Sequence, residues 1–184
     1  MRSRRGRAAV PPDRYPAGLA GRAQTLPRGD RRSAPEAPRI PEAPQAVSWL
    51  LDADVLSQPA KQKGHAGVIA WLEKHKNHCY TSSIVIAQLA FWVNGKQGKQ
   101  RLALQAWLKE LIDAMHGRIL GFNVSVAHVW AEQQHRLQAA GQRMPIEDSY
   151  IAAIARRHNL TIVTGNVKDF RRPGIKVFNP FDES

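Results

Sequence analysis

Three aspartates at the edges of apolar segments are the residues of this chain best suited to chemistry. They are Asp52, Asp148 and Asp169. Carboxylates that converge repel one another unless a cation is present, and hard cations such as Mg2+ or Mn2+ prefer oxygen ligands. Each aspartate alone has an ordinary explanation in a turn, a first helical turn or a cap. Together they favour a site for a divalent metal ion.

The elements that must position these aspartates alternate between strand and helix from residue 47 onward. Residues 102–115 show the three-and-four apolar spacing of an amphipathic helix. The preceding helix runs to residue 93, and Ser83 is predicted to cap its amino end. The alternation favours an α/β fold with a mostly parallel sheet of four or five strands flanked by helices. The predicted strands are 47–51, 79–82, 118–122, 161–164 and 175–178, and the predicted helices are 68–75, 83–93, 102–115, 124–139 and 146–158.

A parallel sheet gives a reason for distant aspartates to meet. Ligands of such sheets bind outside the carboxyl ends of the strands, where the connecting loops gather. Asp52 directly follows the first predicted strand, and Asn166 and Asp169 follow the fourth. Asp148 lies in the first turn of a helix behind Pro145. We therefore expect one acidic pocket at this edge of the sheet.

Three sequence segments resemble the signature segments of PIN-domain ribonucleases in order and spacing. They read LLDADVLS at residues 50–57, PIEDSYIAA at 145–153 and IVTGNVKDF at 162–170. The resemblance extends over residues 47–181, and within the family the chain is most similar to VapC-type toxins of bacterial toxin-antitoxin pairs. It implies a three-layer α/β fold and a metal-dependent endoribonuclease that hydrolyses RNA phosphodiesters.

The same resemblance implies roles for particular residues and partners. Asp52, Asp148 and Asp169 would bind Mg2+ or Mn2+, and Thr164 and Asn166 would assist them. The resemblance also implies that the protein forms a homodimer and is silenced by a small antitoxin protein whose tail occupies the acidic pocket.

One position departs from the family pattern. Residues 84–89 read IVIAQL, so Gln88 stands where the family has a glutamate after the alanine. A glutamine offers a carbonyl oxygen but no negative charge, and it cannot act as a general base. We expect weakened cleavage, with retained binding of antitoxin or RNA.

The charge missing at Gln88 admits two further hypotheses. In one, Asp54 replaces it, although strand alternation would place Asp54 beside Asp52 only if the strand continued through both residues. In the second, Gln88 is an introduced inactivating change.

Two rival functions follow from the same residues. A PIN-like domain without its fourth acid would serve as a module that binds antitoxin or RNA without cutting. The segment from Asp52 to Val55 also matches the opening motif of haloacid-dehalogenase-like phosphatases, and residues 164–166 resemble their second motif. Motif order argues against a phosphatase, because only 184 − 164 = 20 residues remain for its last two motifs.

Charge and cysteine content narrow the class of protein. The formal net charge of +12 raises the expectation of a polyanionic partner such as RNA or DNA, and charge alone does not decide between them. Cys79 is the only cysteine, which excludes an intramolecular disulfide and a cysteine pair for zinc and fits a cytoplasmic protein. No apolar run reaches the roughly 18 residues that span a bilayer, and no secretory signal is evident.

Residues 1–46 differ in composition from the rest. They hold ten arginines, four acidic residues and no lysine, a charge of 10 − 4 = +6, and eight of the twelve prolines. We predict a disordered segment here and one PIN-like domain over residues 47–184. A basic nucleic-acid-binding arm is one alternative. Another is translated upstream DNA ahead of a start at Val47, which N-terminal sequencing of the native protein would test.

The tryptophans and four of the arginines are candidates for packing and binding roles. Trp71, Trp107 and Trp130 lie on apolar helix faces and are predicted to be core or dimer contacts, whereas Trp92 beside Phe91 is a candidate partner surface. A phosphate-attracting edge and ordinary solvated charge both account for the arginines 156, 157, 171 and 172.

Overall fold

A computed structural model describes residues 47–183, and a parallel sheet of five strands lies at the centre of this part of the chain. The segment 1–46, predicted to be disordered, lies outside the described residues. The strands are β1 (Trp49–Leu51), β2 (Cys79–Ser82), β3 (Ile119–Leu120), β4 (Thr161–Val163) and β5 (Val177–Phe178). The helices are α1 (Ala53–Leu56), α2 (Ala66–His75), α3 (Ser83–Asn94), α4 (Gly98–Ala114), α5 (Val124–Ala139), α6 (Ile146–Arg157) and α7 (Val167–Phe170).

The order of the strands creates a crevice beside β1. The order is β3-β2-β1-β4-β5, and every pairing is parallel. The chain therefore builds outward from β1 through β2 and β3 on one side and then crosses to β4 on the other. In open parallel sheets the point where the order reverses is where ligands bind, outside the carboxyl ends of the strands. Here that point lies between β1 and β4.

The strands are apolar on both faces because helices cover both sides of the sheet. Leu50, Ile162 and Val163 have no exposed surface, and Leu51 is almost fully buried. The middle of α6 is buried to the same degree, from Ile151 to Ala155. Three of these five α6 residues are alanines, whose short side chains let the helix lie close to its neighbours.

The predicted α/β fold is confirmed, but several element boundaries were wrong. Ser82, not Ser83, caps α3, because its side chain accepts from the Val85 amide. The third strand is two residues long instead of five, since only Thr81 and Ser82 pair with it. Helix α4 begins at Gly98, ahead of its apolar stripe, because its exposed first turn carries no periodic signal. The short helices α1 and α7 were not predicted.

The predicted core role of three tryptophans is confirmed. Trp71 is buried and stacks on His75 at 4.4 Å between ring centroids, and Trp107 and Trp130 pack against the core. The expectation for Trp92 needs correction: Phe91 is the exposed residue, at 84%, whereas Trp92 is half-buried against Trp107.

Two global expectations can be compared with the described part of the chain. Across residues 47–183, every helix is too short or too polar to cross a bilayer. Cys79 is buried, and its thiol lies 3.2 Å from the carbonyl oxygen of His75. Burial raises the pKa of the Cys79 thiol to about 12, so the thiol stays protonated and unreactive near neutral pH.

Candidate active site at the β1 and β4 strand ends

Asp52 is the first residue after β1, and it ends the strand by starting a helix. Its backbone is extended, at φ −86° and ψ 165°, and its Oδ1 accepts a hydrogen bond of 2.7 Å from the Ala53 amide at the start of α1. The side chain is only 8% exposed. A buried carboxylate is thus held at the carboxyl end of the central strand.

Thr164 binds this carboxylate from the neighbouring strand end. The threonine is fully buried directly after β4, and its Oγ1 donates to Asp52 Oδ2 at 2.9 Å. The same oxygen accepts from the Asn166 amide at 3.0 Å. One hydroxyl therefore connects the loops that follow β1 and β4.

Asp54 reaches the same loop by a route that strand alternation did not predict. The strand ends at Leu51, so the expectation that Asp54 needs a continued strand was wrong. Instead, the first turn of α1 carries Asp54 to Gly165, whose amide donates to Asp54 Oδ2 at 2.8 Å. Thr164 Oγ1 also lies 3.5 Å from Asp54 Oδ1.

Asp148 and Asp169 lie on two further elements. Asp148 is half-buried in the first turn of α6, and Asp169 lies in α7, directly after the β4 loop. Asn166 Nδ2 donates to Asp169 Oδ2 at 2.8 Å. Of the predicted site residues, the structure thus joins Asp52 to Thr164 and Asn166 to Asp169 by direct hydrogen bonds. Asp148 is connected to the others through its charge alone.

The carboxylates form an electrostatically strained set. The pKa of Asp52 is raised from 3.8 to about 6, chiefly by burial and also by the charges of Asp54 and Asp148, against the lowering effect of its hydrogen bonds. Burial also raises the pKa of Asp148 to about 6, with smaller contributions from the charges of Asp169 and Glu147. The pKa of Asp54 is raised as well, chiefly by burial. A cation between these groups would relieve their repulsion.

The donor set fits an open, partly hydrated Mg2+ or Mn2+ site better than a closed one. Within residues 47–183, no three acidic, histidine or cysteine side chains are grouped tightly enough to hold a metal ion by themselves. Mg2+ does not need such a cage, because it keeps several waters and is bound by one or two carboxylates together with substrate phosphates. Asp52, Asp148 and Asp169 are suited to that role.

Gln88 has an acidic partner that the sequence did not identify. It is half-buried on α3, and its Nε2 donates to Glu147 Oε2 at 2.9 Å. Its Oε1 is buried and accepts no hydrogen bond. Glu147 was overlooked although it precedes Asp148 in the signature segment at 145–153. Only the packing of α3 against α6 shows that Glu147 lies beside Gln88.

A small cavity extends the crevice past Asp54 and Gln88. Its volume is about 210 Å³, and Lys61 and Trp92 lie on its walls. The charge of Lys61 lowers the pKa of Asp54, opposing the effect of burial. The cavity therefore places a cation and an aromatic ring next to the acidic residues.

The four arginines proposed for a phosphate edge do not behave alike. Arg172 donates to the backbone carbonyls of Lys168, Arg171 and Arg143, so it holds the segment after α7 in place. Arg157 donates to the Ser125 hydroxyl at 3.3 Å. Arg172 therefore has a structural role that neither phosphate attraction nor solvated charge describes.

Replacing Thr164 by valine tests the connection between the two strand ends. The shape is kept, but Asp52 loses a donor and the Asn166 amide loses an acceptor. We expect the free energy of unfolding to fall by about 1–3 kcal/mol, the cost of leaving buried polar groups unpaired. Urea denaturation measures it. Thr164→Ser, which keeps the hydroxyl, is the control, and a valine variant as stable as the unchanged protein would contradict this role.

Comparisons with known proteins agree with this geometry. The PIN domain family model matches residues 49–176. Toxin FitB of Neisseria gonorrhoeae is 32% identical over 139 residues, which cover 73% of this chain and 99% of that protein. VapC ribonuclease Y4jK of Sinorhizobium fredii is 29% identical over 136 residues, covering 72% and 97%. These matches support the nuclease family over the phosphatase alternative.

Solved structures show the same similarity. The crystal structure of FitAcB from Neisseria gonorrhoeae superposes with a TM-score of 0.69 and 32% identity, covering 72% of this chain and 98% of that one. VapBC2 from Rickettsia felis, at 24% identity, shares the fold with a TM-score of 0.63 over 72% and 98% of the two chains. The order of the strands, the acidic crevice between β1 and β4 and the extent of these matches lead to one conclusion: the chain belongs to the PIN-domain family.

Proposed function

We propose that this protein is a metal-dependent endoribonuclease toxin that hydrolyses RNA phosphodiesters. The observation that carries the proposal is Asp52, which is almost fully buried at the point where the strand order reverses, with a pKa raised to about 6. Burying a carboxylate beside other carboxylates costs stability, and such costs are concentrated at functional sites. The relatives named as a VapC ribonuclease and as toxin FitB support the same activity.

Some side chains of the site would bind the metal ion, and others orient the side chains that bind it. Asp52, Asp148 and Asp169 would hold Mg2+ or Mn2+, Thr164 fixes the orientation of Asp52, and Asn166 fixes that of Asp169. When bound, the ion would lower the pKa of a water molecule that it holds and would neutralise the charge that develops on the phosphate.

Gln88 lowers the expected rate of cleavage. Its neutral amide cannot take a proton from water, so this position cannot contribute a general base. Its Nε2 is already bound to Glu147, and its Oε1 is buried without a hydrogen-bond partner. We therefore propose a nuclease that is slower than one with an acid at this position.

The proposed partners are RNA, a small antitoxin protein and a second copy of the chain. The net charge of +12 favours RNA binding through phosphate contacts. The similar structures include FitAB bound to a DNA fragment and VapBC complexes of toxin-antitoxin systems. By analogy, an antitoxin would occupy the acidic crevice and block it, and the pair would bind DNA.

A second candidate function is a module that binds antitoxin or RNA without cutting. The observation that favours it is the neutral amide of Gln88, which stands where the family pattern has a glutamate and donates to Glu147. Such a protein would bind RNA with a strong dependence on salt concentration and leave it intact.

RNA cleavage in the presence and absence of Mn2+ separates the two functions. We expect internal cleavage of single-stranded RNA with Mn2+ and none with a chelator. At limiting Mn2+ the rate should fall as the pH is lowered through about 6, because protonated Asp52 and Asp148 lose their charge for the ion. Bound but uncut RNA at every Mn2+ concentration would support the module and contradict the nuclease.

A further inference from the structure

The bond between Gln88 and Glu147 connects two helices at the edge of the acidic crevice. Gln88 lies on α3 and Glu147 at the start of α6, 59 residues later, with 2.9 Å between Nε2 and Oε2. The donor is neutral, so it orients the carboxylate without cancelling its charge. An arginine or lysine in place of Gln88 would orient the carboxylate equally well but would remove that charge from the site.

The charge of Glu147 acts on the proposed metal-binding residues. It is adjacent in sequence to Asp148, and both residues lie in the first turn of α6. Glu147 is itself exposed, whereas Asp148 is half-buried. A cation approaching Asp148 therefore also experiences the charge of Glu147.

Asp54 is the other acid that could compensate for Gln88, but its contacts differ from those of Glu147. Its Oδ2 accepts from the Gly165 amide at 2.8 Å, and its charge is partly balanced by Lys61. Both contacts connect Asp54 to the loop after β4 and to the segment after α1. Glu147, by contrast, is in direct contact with Gln88.

We propose that Glu147 supplies the fourth negative charge of the metal site, and that Gln88 is a positioning residue that holds Glu147 in place. The inference rests on the proposed metal-dependent function and assigns one of its charges. The family pattern places this charge on α3, at position 88. In this chain Glu147 on α6, the acceptor of the hydrogen bond from Gln88, carries it instead. Affinity for the ion is thereby retained although the general base at position 88 is absent.

Three variants separate the charge from its position, and Mn2+ binding to the full chain by isothermal titration calorimetry is the readout. Glu147→Gln removes the charge, and we expect it to weaken Mn2+ binding by roughly tenfold. The double variant Gln88→Glu/Glu147→Gln moves the charge to α3 and should restore the affinity. Gln88→Ala keeps the charge but removes the donor, and it should weaken binding by a smaller factor.

Glu73→Gln is the matched control, since it removes a glutamate charge elsewhere. Glu73 lies in the last turn of α2, just before β2 begins. It is therefore near the amino ends of the strands, whereas the crevice lies at their carboxyl ends. Its ion pair with Lys76 is largely exposed, so losing it costs little stability. We expect its Mn2+ affinity to equal that of the unchanged protein. Circular dichroism of each variant verifies that the fold is intact.

Two outcomes would overturn the proposal. One is equal Mn2+ affinity of Glu147→Gln and Glu73→Gln, and the other is a double variant that binds Mn2+ as weakly as Glu147→Gln. Neither affects the proposed nuclease activity, which depends on Asp52 and is measured by RNA cleavage. An unchanged protein that binds no Mn2+ at all would overturn both.

Discussion

Replacing Asp52 by asparagine should reduce Mn2+-dependent RNA cleavage by roughly 10²- to 10³-fold, the usual cost of losing a group that stabilises the transition state. The asparagine can still accept from Ala53 through its carbonyl oxygen, so the start of α1 is kept. It cannot supply the negative charge for the ion. Gel analysis of a labelled RNA at saturating Mn2+ measures the loss.

The same substitution should stabilise the metal-free protein. The pKa of Asp52 is raised from 3.8 to about 6 on folding, so the folded protein binds this proton more tightly than the unfolded chain does. The stabilisation from protonated Asp52 is complete below its unfolded pKa and is lost as the pH rises through the folded pKa. Above about pH 6 the charge costs about 2–3 kcal/mol, and asparagine removes that cost.

Urea denaturation near neutral pH with a chelator present checks this gain, and Asp113→Asn is the matched control. Asp113 lies on α4 in an exposed ion pair with Lys109, so its replacement should change neither stability nor cleavage. An Asp52→Asn protein that is less stable than the unchanged one would show that Asp52 is structural. If that variant still cleaves RNA at the original rate, the proposed nuclease mechanism is wrong.

Replacing Phe170 by alanine should lower the free energy of unfolding by about 3–5 kcal/mol, the usual cost of a cavity left by a large core side chain. Phe170 is fully buried at the end of α7, directly after Asp169. We also expect weaker Mn2+ binding, because the packing of Phe170 is what anchors the helix that carries Asp169. Urea denaturation and calorimetric titration with Mn2+ measure the two effects.

Phe91→Ala is the control for this prediction, since it removes the same side chain from a surface. Phe91 is 84% exposed on α3, so its loss should change the stability by less than about 0.5 kcal/mol. A Phe170→Ala protein within about 1 kcal/mol of the unchanged one would show that the cavity closes by repacking. Full Mn2+ affinity in a destabilised variant would show that Asp169 is positioned by Asn166 alone.

The strands and the long helices were predictable because their signals are local. Apolar runs such as residues 49–51 indicate buried strands, and parallel pairing follows from the alternation of strands and helices. The periodic stripe of α4 predicted burial only in part, because Leu104 is buried whereas Leu102 is 67% exposed and Ile112 37%. The boundaries were less predictable. Ser82 and Ser83 are adjacent and chemically equivalent as caps, and only the backbone decides that Ser82 accepts from Val85. The short helices α1 and α7 each span about one turn, which is too short for a periodic pattern.

The acidic pocket was predictable in part for the same reason. Asp52 follows a strand, so its position at the edge of the sheet could be inferred from β1 alone. The contact of Asp54 with Gly165 could not, because it depends on whether the chain continues as a strand or turns into a helix at Asp52. The sequence after Asp52 is compatible with a continued strand and with a helix. The hydrogen bond from the Ala53 amide to Asp52 shows that the helix forms.

The sequence by itself determined the α/β class, the PIN-domain resemblance and the absence of an acid at position 88, since each depends on residue type and order along the chain. Only the tertiary structure decided what surrounds that position. Gln88 and Glu147 are 59 residues apart, and no local pattern relates them. They meet because α3 and α6 pack together beside the sheet. The interaction between two charges depends on the distance between them in the folded protein, which the separation along the sequence does not give.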